Sequence, residues 1–157
     1  TPARRIATMK EVNMKKCKVG FTAGVFDLLH VGHLNLLERC KEMCDYLIVG
    51  VCDDDYVRNV KRTDPMIPDS DRLRLVEALG CVDEAVLIDS CVTSDKMVAQ
   101  SLFGFDVLFS GDDWRGSERY AKTEEQFQTI GVAIEYLPYT KGVSTSALKN
   151  QLTTKAK

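Results

Sequence analysis

Two histidines three positions apart are the residues of this chain with the clearest chemical potential. His30 and His33 are its only histidines, and they lie where an apolar run gives way to a helical pattern, with Gly32 between them. At the start of a helix, free backbone N–H groups and the positive end of the helix dipole attract anions. The pair is therefore interpreted as a clamp for phosphate oxygens, with Gly32 allowing a phosphate to approach the backbone closely.

Two other roles for the histidines are weighed against this clamp. The helical zinc motif places two histidines four residues apart with a glutamate after the first, whereas the spacing here is three. The second alternative is a histidine packed in the core. A glycine-containing junction between strand and helix favours phosphate binding over both.

The elements that must position this pair alternate between strands and helices. Apolar runs of strand length lie at residues 18–23, 46–52, 84–88, 107–110 and 133–137. Helix-period segments lie between them at 33–43, 70–79, 94–103 and 117–130, with Ser70 as the predicted cap of the second and a last helix after Ser144. This alternation predicts an α/β fold, with a parallel sheet of about five strands covered by helices on both faces.

Composition limits the classes of protein to which the chain can belong. Its 157 residues, 45% of them hydrophobic, predict one domain at residues 17–157, and the basic residues 1–16 are interpreted as an N-terminal extension or linker. The net charge of −2 provides no general attraction to nucleic acid or to anionic membranes. Apolar runs fall short of the roughly 20 residues of a membrane span, and no secretory signal is recognisable, so a cytoplasmic protein is predicted.

The six cysteines show no Cys-x-x-Cys spacing, and most lie inside apolar runs. Cysteine in such places acts as a small buried hydrophobe. Reduced structural thiols are therefore predicted, with a metal or redox role as the alternative.

Ligands of an open parallel sheet bind beyond the carboxyl ends of its strands. Four segments follow predicted strands at that edge, namely residues 24–33, 53–68, 111–114 and 139–144. They are expected to converge on one cleft.

The motifs in these segments resemble those of one enzyme family. The run from Gly24 to His33 is similar to the His-x-Gly-His signature of nucleotidyltransferases, which have a Rossmann-like fold, and points to their cytidylyltransferase family, nearest its glycerol 3-phosphate branch. Gly-Asp-Asp-Trp at 111–114 matches the same family, and residues 140–146 resemble its Arg-Thr-x-Gly-Ile-Ser-Thr motif, with Tyr139 in place of the arginine. The resemblance covers residues 18–152.

The resemblance implies a set of site residues. Those implied to be catalytic are His30, His33, Lys61 and Arg72, with Arg62 as a possible substitute for Lys61. Lys61 and Lys96 are implied to bind the acceptor, and Lys141 is a candidate to compensate for Tyr139. The residues implied to bind the nucleotide are Ala23, Gly24, Val25, Phe26, Asp27, Gly32, Gly111, Asp112, Asp113, Trp114, Tyr139, Thr140, Gly142, Val143, Ser144 and Thr145.

The activity implied is transfer of CMP from CTP to a phosphorylated alcohol, foremost sn-glycerol 3-phosphate, by direct in-line displacement. The products would be pyrophosphate and CDP-glycerol, a precursor of a cell-wall or surface polymer. Mg²⁺ is expected to arrive with CTP, held mainly by the nucleotide phosphates and not by a protein metal site. Relatives imply a homodimer, and no nucleic-acid partner or membrane span is expected.

Three alternatives stay open at this point. The acceptor could be ribitol, choline or ethanolamine phosphate. The transferred group could be adenylyl, passed to a pantetheine, heptose or flavin phosphate. The domain could also bind a nucleotide without turnover, a reading for which Tyr139 is the main argument.

Overall fold

The computed structural model describes residues 17–155, so the predicted extension at residues 1–16 lies outside the described residues. Its five strands are β1 Cys17–Gly24, β2 Cys44–Cys52, β3 Glu84–Ile88, β4 Val107–Gly111 and β5 Ala133–Leu137. Its α-helices are α1 Val31–Glu42, α2 Asp54–Asn59, α3 Asp69–Glu77, α4 Ser90–Ser94, α5 Lys96–Phe103, α6 Glu118–Gln128 and α7 Thr145–Lys155. A 3₁₀ turn, Asp112–Trp114, follows β4.

All five strands pair in parallel in the order β3-β2-β1-β4-β5. The predicted α/β fold with a five-stranded parallel sheet is confirmed. Strand order reverses between β1 and β4, and in open parallel sheets this reversal opens a crevice at the carboxyl ends of the strands. The segments that follow β1 and β4 flank that crevice.

Alternating side chains of β2 supply two separate cores, one on each face of the sheet. Val49 is buried with Leu37 of α1 and Val76 of α3. Ile48, its neighbour in sequence, is buried on the other face with Phe127 of α6. Because successive residues of a strand point to opposite faces, one continuous apolar run satisfies both helical layers.

Two predicted helix starts are wrong, and the local backbone explains both. Helix α3 begins at Asp69 after Pro68, whose φ of −57° suits a helix start, so Ser70 is not its cap. The predicted helix 94–103 corresponds to α5, which begins two residues later at Lys96, because Asp95 adopts an extended backbone that ends the unpredicted helix α4. The Asp95 side chain then caps α5 by accepting hydrogen bonds from the next turn.

None of the six cysteines, all of which lie within residues 17–155, forms a disulfide bond. Cys40, Cys44 and Cys52 are buried, and Cys91 is exposed. Burial raises the pKa of Cys17 to about 12, so this thiol stays protonated at neutral pH. Within residues 17–155, no helix is both long and apolar enough to cross a bilayer.

Candidate active site

The two histidines cap the start of α1 reciprocally. His30 is the N-cap residue, and its Nδ1 accepts a hydrogen bond from the Gly32 N–H at 3.0 Å. Nδ1 of His33 in turn accepts from the His30 N–H at 3.1 Å. The rings stack with 3.9 Å between their centroids. Side chains that normally fill a capping box are serine and glutamate, so this chain uses its two imidazoles in their place.

The capping bonds also determine where each imidazole carries its proton. Because Nδ1 of each ring accepts from a backbone N–H, the proton of the neutral ring is on Nε2. Burial lowers the pKa of His30, and burial together with the neighbouring His30 lowers the pKa of His33 to about 4. Both rings are therefore neutral hydrogen-bond donors at pH 7.

Nε2 of His33 is open to the cleft side of the site. No described residue forms a hydrogen bond with this atom. Every buried side-chain nitrogen or oxygen within residues 17–155 has a hydrogen-bond partner, so an atom without one is not buried. The atom is therefore accessible to solvent. It is a preset N–H donor with nothing from the described chain to accept its proton.

Gly32 is required by the protein's own side chains. A Cβ at this position would lie 2.8 Å from Cε1 of His30 and 3.1 Å from a methyl group of Val143. The predicted reason for the glycine was close approach of a phosphate to the backbone. The geometry adds a second reason, the imidazole folded back over the helix start, and the approach of a phosphate stays a prediction.

Asp27 holds the loop between β1 and α1 to two other segments. Its carboxylate accepts hydrogen bonds from the N–H groups of Met66 and Ile67 at 2.8 and 3.0 Å, and pairs with Nζ of Lys149 at 2.8 Å. Burial alone would raise the pKa of Asp27, but these partners outweigh it and the pKa is lowered. The residue is thus buried, ionised and fully bonded, as an orienting group would be.

The residues on either side of Asp27 show how strongly this loop is constrained. Phe26 and Leu28 both adopt positive φ, 56° and 50°. A side chain in this region costs on the order of 1–3 kcal/mol and persists only where surrounding contacts enforce it. The buried Phe26 ring, tilted against His33 with 5.4 Å between centroids, is one such contact.

The start of α7 meets the start of α1. Ser144 caps α7 by accepting from the Ala147 N–H at 3.1 Å. The Thr145 hydroxyl donates to the Asp27 carbonyl at 2.8 Å, which leaves its oxygen, 3.5 Å from Nε2 of His30, to accept from that ring. Two helix N-termini, each a site favourable to anions, therefore converge beside the histidine pair.

Tyr139 closes over the end of β4. Its ring lies so close to Gly111 that no Cβ fits there, and a carboxylate oxygen of Asp113 lies beside the same position. Burial and the negative charge of Asp113 raise the pKa of Tyr139 to about 12, so the hydroxyl remains a donor. The two motif segments are thereby joined.

Arg72 does not reach the cleft. Its side chain is 0% exposed and donates to the carbonyls of Ile67, Val25 and Cys52 and to the carboxylate of Asp54, at 2.6–2.9 Å. The catalytic role that the resemblance implies for Arg72 would need contact with a substrate, and this arrangement does not provide it, because the guanidinium is occupied by backbone and carboxylate oxygens. Arg72 instead ties together the segments after β1 and β2.

Three cations occupy the side of the cleft after β2 and β3. Lys61 is exposed beyond α2, and Lys96 is half-buried with Nζ 3.0 Å from the Thr93 carbonyl. Arg119 of α6, which sequence reasoning missed, donates to the same carbonyl at 3.2 Å. One signal in the sequence could have indicated Arg119. It lies in the first turn of a predicted helix, where the helix dipole makes a cation unfavourable, so a role other than helix stability is indicated.

The remaining predicted residues are distributed around these contacts. Thr140 accepts from the Asn35 amide at 3.2 Å. Gly142 has a φ of 86°, which only glycine adopts readily, and Trp114 is partly exposed beside Tyr120. Ala23, Gly24, Val25 and Val143 are partly buried, whereas Arg62, Asp112 and Lys141 are exposed. Within residues 17–155 there is no group of three or more His, Cys, Asp or Glu side chains that could hold a metal ion.

Known proteins resemble this chain along most of its length. It is 32% identical over 132 residues to glycerol-3-phosphate cytidylyltransferase of Bacillus subtilis (83% of this chain, 94% of the relative). It is 38% identical over 131 residues to FAD synthase of Thermococcus onnurineus (83% and 85%). It is 36% identical over 132 residues to the bifunctional protein HldE of Citrifermentans bemidjiense, of which it spans only 26%.

A solved structure and a family profile agree with these relatives. A lipopolysaccharide core biosynthesis protein from Thermoplasma volcanium superposes with a TM-score of 0.65 at 28% identity, covering 81% of this chain and 99% of that one. The cytidylyltransferase-like profile matches residues 21–151, which include both histidines, the Gly-Asp-Asp-Trp turn and the start of α7. The chain belongs to the cytidylyltransferase-like family of nucleotidyltransferases.

Proposed function

We propose that this chain transfers CMP from CTP to a phosphorylated alcohol, foremost sn-glycerol 3-phosphate, releasing pyrophosphate. The observation that carries the proposal is the stacked pair His30 and His33. Both rings are neutral, and Nδ1 of each accepts a hydrogen bond from a backbone N–H. The stacked rings lie beside the N-termini of α1 and α7, where the strand order reverses. Such an array of fixed donors suits phosphate oxygens whose charge changes during reaction.

In the proposed reaction, an oxygen of the acceptor phosphate attacks the α-phosphorus of CTP in line. A bond forms between them as the bond to the β-phosphate oxygen breaks, and pyrophosphate leaves with the electron pair. The acceptor phosphate needs no strong base, since its second pKa is about 6. The Nε2–H groups of His30 and His33 would donate to α- and β-phosphate oxygens, that of His30 leaving the Thr145 hydroxyl to do so, and Lys61 would bridge acceptor and nucleotide.

The site fits a magnesium ion held by the nucleotide. Around the histidines the chain presents N–H groups and helix N-termini, which bind anions, and the nearest carboxylate, Asp27, is occupied by two backbone N–H groups and Lys149. Mg²⁺ usually retains waters and binds substrate phosphates. It would offset phosphate charge, and the exposed carboxylate of Asp112, in the turn after β4, would be available to contact it.

The acceptor and the nucleotide would bind on opposite sides of the cleft. Lys61 and Lys96 stand on the side of β2 and β3, where an acceptor phosphate would bind. The turn Gly111–Trp114 and Tyr139 stand beside β4, where they would wall the nucleotide. The similarity to glycerol-3-phosphate cytidylyltransferase, of which the chain covers 94%, supports glycerol phosphate. The predicted homodimer and cytoplasmic location stay predictions.

Product analysis tests the proposal. The protein is incubated with CTP or ATP, Mg²⁺ and one acceptor at a time, from glycerol, ribitol, choline and ethanolamine phosphates to FMN, and products are identified by mass. CDP-glycerol as the dominant product is expected. FMN is included because FAD synthase is a relative at 38% identity. An FAD product from ATP would replace the proposal with adenylyl transfer, and nucleotide binding with no product at any acceptor would replace it with a binding module.

Lys96 gives the proposed reaction a pH dependence. Burial, followed by the positive charges of Arg119 and Lys61, lowers the pKa of Lys96 to about 8. Since a lysine loses its charge as the pH rises through its pKa, kcat/KM for the acceptor phosphate should fall above about pH 8. A Lys96→Arg variant keeps its charge and should remove this fall. A profile that is the same in both proteins up to pH 9.5 would contradict the assignment.

A further inference from the structure

Three cations at the carboxyl edge of the sheet have no carboxylate partner. Within residues 17–155, no Asp or Glu oxygen forms an ion pair with Lys61, Lys96 or Arg119. Cations gathered in one place repel one another, and the pKa of Lys96 is lowered partly by the charges of the other two. Such a group lacks an anion to balance it.

Arg119 is exposed at this edge and is anchored there by contacts with several segments. Its guanidinium donates to the carbonyls of Thr93 and Ser94 at 3.2 and 3.3 Å. It also lies over the Trp114 ring at 5.6 Å, and its positive charge acts on the Tyr56 hydroxyl. These partners belong to α2, α4 and the 3₁₀ turn after β4, so one side chain connects the segments that follow β2, β3 and β4.

Lys96 shares a partner with Arg119. Its Nζ donates to the Thr93 carbonyl at 3.0 Å, the same oxygen that accepts from the guanidinium. Two cations on one neutral carbonyl leave each with further N–H donors, since an ammonium has three and a guanidinium five. A tetrahedral phosphate, with several acceptor oxygens, is the ligand that matches this arrangement.

We propose that Arg119 is a specificity-determining residue for the acceptor: together with Lys96 it binds the acceptor's phosphate and selects phosphorylated over neutral alcohols. This inference rests on the proposed function, in which such a phosphate attacks CTP. The aromatic contact and the backbone anchors hold the guanidinium ready, so little freedom is lost on binding. Arg119 thereby adds a directed two-pronged donor to the point charge of Lys96.

Kinetics of matched arginine variants test the inference. Arg119→Gln is expected to raise KM for sn-glycerol 3-phosphate by about 10- to 100-fold, the range of one charge-assisted hydrogen bond, with KM for CTP within about twofold of the parent. The control is Arg115→Gln, which removes the same charge. Arg115 directly follows the 3₁₀ turn after β4, is exposed, and lies over the Tyr136 ring. Arg115→Gln should leave both KM values near those of the parent.

A binding experiment separates this inference from the proposed function. Titration calorimetry measures inorganic phosphate and sn-glycerol 3-phosphate on the parent, Arg119→Gln and Arg119→Lys, without turnover. Suppose that no CDP product forms with any acceptor, but phosphate binding is lost in Arg119→Gln and partly restored in Arg119→Lys. The anion site is then supported and the proposed reaction is refuted. If CDP-glycerol forms and Arg119→Gln changes neither its KM nor phosphate binding, the role of Arg119 is refuted. Equal rises in KM for CTP and acceptor would also refute it, by showing a purely structural residue.

Discussion

Replacing His33 with alanine is expected to lower kcat of CMP transfer by about 10²–10³-fold, as for removal of one preset donor to a developing charge. The same change at His30 should have an effect of similar size. Both rings hold their proton on Nε2 because backbone N–H groups occupy Nδ1. The His33 donor has no partner to give up, whereas that of His30 must leave the Thr145 hydroxyl, and alanine removes both donors.

Alanine also removes a helix cap, so a second variant must separate capping from catalysis. In His33→Asn the amide oxygen can replace Nδ1 as acceptor of the His30 N–H, whereas no donor replaces Nε2. Asparagine at position 30 is likewise a good N-cap. We expect both asparagine variants to unfold at urea concentrations close to that of the parent while losing as much kcat as the alanine variants.

Single-turnover rates with saturating CTP, Mg²⁺ and acceptor measure the chemical step directly. Val31→Ala is the matched control, since Val31 lies between the histidines and is 56% exposed. Normal turnover in His33→Asn would remove the proposed donor role and leave the histidines as caps only. Because burial and the neighbouring His30 lower the pKa of His33 to about 4, protonation of the His33 ring should cause no fall in kcat of the parent between pH 8 and pH 6.

The fold was largely predictable because its signals are local. Strand-length apolar runs between helix-period segments predicted all five strands to within two residues at either end, since strands buried on both faces must be apolar throughout. Short helices escaped prediction. Helices α2 and α4 have six and five residues, too few to show a helical period.

The candidate site was predictable in its motifs and not in its side-chain partners. Glycine at position 32 signalled a special backbone environment, but only the folded chain shows that the His30 ring and Val143 fill it. Arg119 follows its motif by five residues and meets Thr93 across a separation of 26. No local pattern encodes a contact of that range. Arg72 shows the same limit, since an arginine at a helix start gives no sign of whether it is solvated or buried.

Replacing Arg72 with methionine is expected to lower the free energy of unfolding by about 3–5 kcal/mol, the range for breaking a buried ion pair by removing one partner. Methionine fills much of the space but leaves three carbonyls and the Asp54 carboxylate without their donors. The pair is deeply placed, with Arg72 0% and Asp54 19% exposed, so little solvent screening reduces its contribution. Arg74→Met on the exposed face of α3 is the control and should change stability by less than about 0.5 kcal/mol.

Urea unfolding of four proteins decides what the guanidinium does. The parent, Arg72→Met, Asp54→Asn and the double variant form a cycle that isolates the ion pair from the backbone contacts. Part of the loss should be recovered in the double variant, because the unpaired buried carboxylate is gone. Arg72→Lys restores the charge but cannot reach several oxygens at once, so it should remain destabilised.

If Arg72→Met unfolds like the parent and only KM for CTP rises, the guanidinium acts on the nucleotide phosphates, as the motif alone predicts. If stability falls as expected, this arginine acts through the segments after β1 and β2, one of which presents Lys61 and the other His30 to the substrates.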